Sequence, residues 1–389
     1  MKRIIIVNNN MKVGGVQKSL YNLLWSIEGQ YDITLCLFRK IGAYVNCLPP
    51  SVKVIEVCGP YRYLGLSQGE CRGVDSLKRG ALVALSRVFG RKKILAGMKC
   101  RLQELNEVYD VAISFLHNGR SKAFYGGTQD FVLHCVKAKQ KIAFLHGDYR
   151  NCGADNRDNN RQLAEFDRIA ACSDGCRNAL LSVLPQLKDK CVTVRNFHRF
   201  DEIDRMAEDD PVTYEDPSGA HILMVSRLSH EKGIDRAIRA VAYVNGNGIG
   251  AYLHLVGDGG MRESLQMLAN ELGISDHVIF HGEQSNPYRF MKNADLLLMT
   301  SYHEAAPMVI DEARALGLPI LTTETTSSQE MVTERCCGWV CENAQSALET
   351  ELERVLREED LPGRIPDNRS MGANNLAMTQ WSLLLEGKN

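Results

Sequence analysis

Short apolar runs alternate along the whole chain with longer segments in which apolar residues recur every three or four positions. The short runs are typical of strands buried in a parallel sheet, and the longer spacing is typical of helices. We predict strands at residues 4–7, 33–38, 52–57, 109–115, 141–145, 169–173, 192–196, 221–225, 253–256, 278–282, 294–300 and 320–323. This alternation predicts an α/β fold with doubly wound, Rossmann-like sheets.

The length of 389 residues suggests two domains. Acidic residues, two prolines and the lack of a sustained apolar pattern mark residues 201–219 as a linker. We therefore predict an N-terminal domain over residues 1–200 and a C-terminal domain over residues 220–389, facing each other across a cleft. We expect a last helical segment, residues 374–386, to pack back near the interdomain region.

The composition is that of an ordinary folded protein, with 44% hydrophobic and 24% charged residues. Residues 1–8 contain only four consecutive aliphatic side chains, too few for a signal sequence, and no run approaches the ~18 apolar residues of a membrane span. We therefore expect a cytoplasmic protein. The thirteen cysteines show no paired half-sites with metal-ligand spacing, so we expect reduced thiols and no metal site.

The net charge of −1 hides a division between the two halves. Residues 1–200 hold 31 Lys and Arg against 16 Asp and Glu, whereas residues 201–389 hold 15 against 31. Residues 62–101 concentrate the basic charge, with ten Lys or Arg, two acids and apolar residues at intervals of three or four. Such a basic amphipathic helix or helix pair suits an anionic membrane surface. The alternative is an ordinary helix that docks on the N-terminal sheet with a solvated basic face.

Residues 301–323 carry the most informative local pattern. They follow the apolar run at 294–300, which predicts a buried strand, and Pro307 stands where a helix would begin. The helix is predicted over residues 308–316, and Gly317 ends it. A helix start at the carboxyl end of a parallel strand presents free N–H groups that bind phosphate readily.

Two carboxylates bracket this helix start. Glu304 lies in the turn before it, and Glu312 lies inside the helix, roughly 7–8 Å beyond Pro307 at ~1.5 Å per residue. That separation suits two groups of one elongated ligand. On spacing alone, both could equally be ordinary surface acids.

Three further strand ends carry candidate ligand-binding residues. Gly14 and Gly15 lie between the first strand and the first helix, where the lack of side chains lets a ligand approach the backbone. Arg227 and Lys232 flank a later strand-to-helix turn, where two cations could converge on a diphosphate. His146 follows another strand and is placed to point into a cleft, although a structural histidine is the alternative.

The segment S-x-x-E-x-x-P-x-x-x-x-E-A that contains Glu304 and Glu312 resembles the signature of glycosyltransferase family 4. These are retaining nucleotide-sugar transferases of the GT-B fold, also called group 1 glycosyltransferases, and many act in bacterial surface polysaccharide synthesis. The G-G-V-x-x-x-L loop at 14–20, the S-R-L-x-x-x-K-G turn at 226–233 and the I-x-x-x-H-x-D run at 142–148 are similar to further family motifs. The resemblance therefore covers most of the chain.

The resemblance implies roles for individual residues. The catalytic residues would be Glu304, His146, Arg227 and Lys232. The donor-binding residues would be Gly14, Gly15, Arg227, Lys232, Gly257, Gly282, Ala306, Pro307, Met308, Val309 and Glu312. Among these, Glu312 would hold the ribose hydroxyls and Glu304 the donor sugar. Asp148 would contact the acceptor.

The resemblance also implies an activity. We expect a retaining glycosyltransferase that moves a sugar from a nucleoside diphosphate donor to a glycan acceptor, lipid-linked, in capsule, exopolysaccharide or lipopolysaccharide assembly at the inner face of the cell membrane. No Asp-x-Asp lies at a strand end, so we expect a reaction that uses no metal. We also expect no cofactor and no nucleic-acid partner. The alternatives are a nucleotide-sugar epimerase of the same fold and an inactive partner subunit of another glycosyltransferase.

Overall fold

The computed structural model describes residues 1–66, 70–97, 103–119, 124–216, 218–358 and 373–387. The chain divides into two compact units, one comprising Met1–Phe197 with Asn374–Asn389 and the other His198–Ala373. Each unit is built around its own parallel sheet with helices, and the α/β prediction is confirmed.

The N-terminal unit is organised around the first strand of the chain. The strands are β1 (Arg3–Asn8), β2 (Asp32–Leu37), β3 (Lys53–Glu56), β4 (Val108–Ser114), β5 (Lys137–Leu145), β6 (Arg168–Ala171) and β7 (Cys191–Thr193). Over the described residues they form a parallel sheet in the order β3-β2-β1-β4-β5-β6-β7. Because the strand order reverses at β1, the carboxyl end of β1 is the expected position of a ligand site.

Six α-helices precede β7 in the described residues of this unit. They are α1 (Gly15–Ser26), α2 (Gly73–Phe89), α3 (Arg91–Gly97), α4 (Thr128–Cys135), α5 (Arg157–Ala164) and α6 (Asp174–Val183). Ile4, Ile5 and Ile6 are all fully buried, although successive strand residues point to opposite faces. Both faces of β1 are therefore covered, which explains why its sequence is continuously apolar rather than alternating.

The last helix of the chain, α13 (Ala373–Glu386), contributes to the N-terminal core. Trp381 and Leu384 are fully buried among residues of that core. Hydrogen bonds join the helix to the rest of the unit: Gln380 Oε1 accepts from the backbone N–H of Arg195 at 3.0 Å, and Lys2 Nζ donates to a backbone carbonyl of α13, also at 3.0 Å. The two ends of the chain thus share one core.

The C-terminal unit has a second parallel sheet. The strands are β8 (Ala220–Val225), β9 (Ala251–Val256), β10 (Val278–Gly282), β11 (Leu296–Met299), β12 (Ile320–Thr323) and β13 (Gly338–Cys341). The helices of this unit are α7 (Phe200–Ala207), α8 (Ile234–Gly246), α9 (Arg262–Glu271), α10 (Tyr288–Met291), α11 (Met308–Ala315) and α12 (Gln345–Leu356). The strand order in the described residues is β10-β9-β8-β11-β12-β13, so β8 lies beside both β9 and β11. The turns after these central strands therefore meet at one edge of the sheet.

The segment 201–219 is not the linker that we predicted. Its first part belongs to α7, in which Ile203 and Ala207 are buried against the C-terminal core. Further along, the Tyr214 hydroxyl donates to the backbone carbonyl of Phe290 at 2.8 Å. The helix was missed because it is only eight residues long and the buried positions are few among acidic ones.

Candidate functional site

The turns after β8 and β11 bring two predicted catalytic residues into contact. Lys232 Nζ lies 2.5 Å from Glu304 Oε1, and the Ser301 hydroxyl donates to the same carboxylate oxygen at 2.8 Å. Both charged side chains are partly exposed, so a ligand can reach them. Because β8 and β11 are neighbours in the sheet, residues 72 positions apart in the chain form an ion pair at its carboxyl edge.

Gly233 explains how these two turns approach so closely. Its φ is +60°, in the left-handed region, and a Cβ at this position would lie 2.3 Å from the carbonyl oxygen of Thr300. A side chain here would therefore push the Lys232 turn away from the turn that carries Glu304. The glycine of the S-R-L-x-x-x-K-G pattern is thus required by the fold itself.

The helix after Glu304 begins as predicted. Pro307 is the N-cap of α11, with φ −67° and ψ 123°, and α11 runs from Met308 to Ala315. Met308 is buried, whereas Ala306 and Val309 are half-buried. Because the first turn of a helix has N–H groups without intrahelical partners, this helix start can accept an anionic group.

Glu312 is buried on α11, next to a charged cluster that we did not predict. Its neighbour Asp311 is buried with His198, whose Nε2 lies 3.3 Å from Asp311 Oδ2, and with the guanidinium groups of Arg314 and Arg335. Burial alone would raise the pKa of Asp311, but His198 and the two arginines hold it well below its usual range. The cluster fixes the helix that carries Glu312, and no spacing in the sequence indicated it.

The predicted donor-binding glycines Gly257 and Gly282 meet at the ends of β9 and β10. The backbone N–H of Gly257 donates to the carbonyl of Gly282 at 2.8 Å. Gly257 has a φ of +136°, and a Cβ there would lie 1.9 Å from the Ser226 carbonyl oxygen, in the turn that carries Arg227. Arg227 itself is exposed. The turns after β8, β9 and β10 are therefore packed backbone to backbone, and a ligand can contact main-chain groups there.

In the N-terminal unit, the predicted glycine pair opens α1. Gly14 is the N-cap residue with a φ of 168°, which any residue can adopt, and a Cβ on Gly15 would meet nothing within 4 Å. A Cβ on Gly14 would meet only the flexible end of the Gln17 side chain. The fold therefore does not require glycine at either position.

His146 lies at the carboxyl end of β5, as predicted. Its ring stacks on Phe144 with centroids 4.9 Å apart and lies 4.6 Å from the Phe115 ring, and its backbone N–H donates to His117 Nδ1 at 3.3 Å. Burial, with a smaller effect of His117, lowers the pKa of His146 to about 3. The ring is therefore neutral near pH 7, and its buried Nε2 has no hydrogen-bond partner in the part of the chain that the structure describes.

Asp148 is engaged in its own turn. Its carboxylate accepts from the Arg150 backbone N–H at 3.0 Å and from Asn151 Nδ2 at 2.8 Å, and the residue is buried. These bonds shape the loop after β5. The predicted site residues thus fall into two groups: Gly14, Gly15, His146 and Asp148 in the N-terminal unit, and the others in the C-terminal unit.

The basic segment 62–101 forms a helix pair, α2 and α3, as predicted, but its basic residues do not all lie on a solvated face. Arg79 is buried, and its Nη2 donates to the backbone carbonyl of Phe124 at 3.0 Å, so it is not part of a solvated basic face. Instead, the apolar side chains point outward, with Leu77 and Val88 each 75% and Phe89 58% exposed. Together with Val74 and Leu85, which are also exposed, they lie within an arc of roughly 120° on one side of α2, because successive helix residues are ~100° apart. Residues 98–101 and the side chains of residues 91 and 92 lie outside the described part of the chain.

The described residues contain neither a metal-binding cluster nor a membrane-spanning helix. Among them, no group of three or more His, Cys, Asp or Glu side chains is arranged to hold a metal ion. No helix within the same ranges combines the length and apolar character needed to cross a membrane.

A comparison with known protein families finds a match within the C-terminal unit. Residues 207–373 match the family model described as "Glycosyl transferases group 1". The chain is 34% identical over 137 residues to the lipopolysaccharide core biosynthesis glycosyltransferase LpsE of Rhizobium meliloti, which covers 35% of this chain and 39% of that protein. It is 33% identical over 138 residues to the lipopolysaccharide glucosyltransferase WaaG of Escherichia coli, covering 35% of this chain and 36% of that protein. The matched segments thus span less than half of these relatives.

The fold similarity extends over the whole chain. The crystal structure of Anabaena HepE in complex with UDP-glucose matches with a TM-score of 0.69 at 17% identity, covering 99% of both chains. At this identity the match establishes the fold, which is that of the GT-B glycosyltransferases.

Proposed function

We propose that this chain, whose residues 207–373 match the model of the group 1 glycosyl transferases, transfers a sugar from a nucleoside diphosphate donor to a glycan acceptor with retention of configuration. The observation that carries the proposal is the Lys232–Glu304 ion pair at the carboxyl edge of the C-terminal sheet. It places a cation and a carboxylate beside the start of α11, where a phosphate binds favourably. We further propose that the acceptor is lipid-linked and that the reaction serves surface polysaccharide assembly.

The donor would be held by the C-terminal unit. Arg227 and Lys232 supply two positive charges for the diphosphate, and the free N–H groups at the start of α11 supply hydrogen bonds. Glu312 on α11 would accept hydrogen bonds from the ribose hydroxyls. The Anabaena neighbour was solved with UDP-glucose, which favours a nucleoside diphosphate sugar as the donor of this chain.

Donor binding would change the partner of Lys232. In the present structure Lys232 neutralises Glu304. A diphosphate beside Lys232 would compete for that ammonium group, and Glu304 would then accept hydrogen bonds from hydroxyls of the donor sugar. The charge that develops on the departing diphosphate would be stabilised by Lys232, Arg227 and the helix start.

We also propose that Gly14 and Gly15 of the N-terminal unit bind the donor. Neither the backbone conformation nor the surroundings of Gly14 and Gly15 require glycine. The two glycines are therefore explained by a ligand that approaches the backbone closely. His146 is neutral, so its ring can exchange hydrogen bonds with sugar hydroxyls without adding charge. We assign Asp148 to the acceptor side, acting through the turn that its carboxylate stabilises.

The exposed face of α2 supports a peripheral position on an anionic membrane. Outward apolar side chains can enter the headgroup region, while Lys78 and Arg87, both exposed on the same helix, attract anionic lipids. This surface would bring the N-terminal unit close to a lipid-linked acceptor at the inner face of the membrane.

The test is a screen of nucleotide sugars followed by a transfer assay. One nucleoside diphosphate should raise the melting temperature of the full chain, and the matching labelled sugar should pass to glycan in membrane extracts. Glu304→Gln should greatly lower the rate of transfer but leave a measurable residual rate, whereas Glu271→Gln, which changes an exposed acid at the end of α9, should not lower it. Because Lys232, Arg227 and the helix start suffice for the leaving charge, transfer should survive excess EDTA. If every nucleotide left the melting temperature unchanged, the donor assignment would be wrong.

A further inference from the structure

Arg236, in the first turn of α8, is a buried cation that the site described above does not use. Only 5% of its surface is exposed. Its Nη1 donates to Asn343 Oδ1 at 2.6 Å and to the backbone carbonyl of Thr300 at 3.2 Å, and its guanidinium carbon lies 5.0 Å from the centroid of the Tyr302 ring. Its visible partners are thus an amide, a carbonyl and an aromatic face.

The two partners extend these contacts to neighbouring turns. Asn343, after β13, donates through Nδ2 to the backbone carbonyls of Glu324 at 2.9 Å and Tyr302 at 3.3 Å. Thr300, after β11, donates through its hydroxyl to the carbonyl of Gly233 at 2.7 Å, in the turn after β8. We call Arg236, Asn343 and Thr300 the Arg236 cluster. It connects the turns after four strands of the C-terminal sheet.

The Arg236 cluster contacts the backbone segments that carry Lys232 and Glu304. Tyr302, which packs under the Arg236 guanidinium, stands two residues before Glu304. Its backbone N–H donates to the carbonyl of Glu231 at 3.0 Å, next to Lys232. Both members of the ion pair are therefore attached to backbone that the cluster holds.

Burying a guanidinium group is costly unless all its donors are satisfied. Arg236 Nη2 is buried and has no hydrogen-bond partner among the residues that the structure describes. The arginine at this position makes two directed bonds through Nη1, to Asn343 Oδ1 and to the Thr300 carbonyl. These bonds set where the turn from Thr300 to Glu304 lies.

We propose that Arg236 is a positioning residue, which holds the turn 300–304 against the turn of Lys232 so that Glu304 and Lys232 keep their relative geometry. The inference rests on the proposed function, because it assigns those two residues to the transfer step. Displacement of a catalytic group by about 1 Å can cost about a hundredfold in rate, so a supporting residue of this kind has a measurable effect.

The experiment compares Arg236→Met with Arg239→Met. Methionine keeps the apolar length of the side chain but removes the Nη1 bonds, and Arg239 is exposed three residues later on the same helix. In the full chain, Arg236→Met should lower kcat by about 10- to 100-fold with a change of less than about threefold in the KM for the donor. Arg236→Lys, which retains one donor group near Asn343, should recover part of the loss, and Arg239→Met should behave like the wild type.

A double variant separates positioning from a general structural role. If Arg236 acts through Glu304, then Arg236→Met should lower the residual rate of a Glu304→Gln enzyme by less than about threefold, because the effects of coupled residues are not additive. A full additional loss in that background, or a loss of kcat that merely follows a falling folded fraction, would overturn the proposal. So would an Arg236→Met enzyme with wild-type kcat.

Amide hydrogen exchange tests the positioning role even if the wild type transfers no sugar. Arg236→Met should increase amide exchange at residues 301–304 relative to Arg239→Met in the same buffer, since the turn loses its anchor. Unchanged exchange in that turn would overturn the positioning role whatever the activity. Absence of transfer by the wild type, with increased exchange in the variant, would count against the proposed function and not against the positioning role.

Discussion

Lys232 and Arg227 are both cations of the turn after β8, but they have different neighbours. Lys232 already contacts a carboxylate, whereas Arg227 is exposed beside the backbone of Gly257. In the proposed function, Lys232 would link the diphosphate of the donor to Glu304, and Arg227 would reach that diphosphate from the side of Gly257. The two residues should contribute to the same step through different neighbours.

Either cation should be needed for transfer. Because each would stabilise negative charge on the leaving diphosphate, Lys232→Ala or Arg227→Ala should cost about 2–4 kcal/mol of transition-state stabilisation, measured as kcat/KM. Arg205→Ala, an exposed arginine on α7, serves as the control and should have no effect. Near-normal kcat/KM in both site variants would remove the proposed role from this turn.

At the scale of elements, glycines allow the turns of the C-terminal sheet to pack together. Gly257→Ala should destabilise the protein by about 1–3 kcal/mol, since the φ of +136° and the Ser226 carbonyl oxygen at 1.9 Å leave no room for a methyl group. The matched control is Gly260→Ala in the same loop, where a Cβ would meet nothing within 4 Å. Denaturant unfolding of the two variants should therefore differ, and equal stabilities would contradict this account of the turn.

The helix α2 predicts a measurable affinity for membranes. Replacing Leu77, Val88 and Phe89 together with serine should weaken binding to anionic vesicles, because these exposed side chains supply the apolar contact. Binding by the unchanged chain should also fall as salt rises, since the Debye length shrinks from ~10 Å at 0.1 M to ~3 Å at 1 M.

The control for that experiment is Met267→Ser, which removes an exposed apolar side chain from α9 in the other unit. It should leave vesicle binding unchanged. Vesicle binding that is insensitive to salt and to the triple change on α2 would show that this helix does not contact the membrane. The apolar face would then need another partner.

At the scale of the whole molecule, buried neutral histidines make stability depend on pH. His254 lies between His221 and His281, with ring nitrogens 3.1 Å apart on each side. Burial, together with His281 and His221, lowers the pKa of His254 from about 6.5 to about 3. In the N-terminal unit, burial similarly lowers the pKa of His117 to about 4.

These shifts predict loss of stability in acid. Between about pH 6.5 and about pH 3, the unfolded chain binds protons that the folded chain excludes, so the free energy of unfolding falls as the pH falls. The melting temperature should therefore be lower at about pH 5 than at about pH 7. His254→Gln should reduce this dependence, whereas His303→Gln, at an exposed position, should not. A melting temperature that is flat over this range would contradict the burial argument.

The sequence by itself determined the local structure and the identity of the main candidate residues. The strands other than β13, which was not predicted, and the Pro307 helix start were predicted to within a few residues, because they depend on periodicity and on the backbone preferences of proline and glycine. The short helix α7 was missed for the same reason, since its pattern is too brief to be periodic.

Only the tertiary structure decided how those residues interact. The contact of Lys232 with Glu304, the burial of Arg236 and the outward apolar face of α2 all depend on strand order and on packing between distant segments. A helical spacing of apolar residues, as in α2, indicates that they share one face of the helix. It does not indicate whether that face is buried or exposed. That choice is made by long-range packing, which local patterns do not encode.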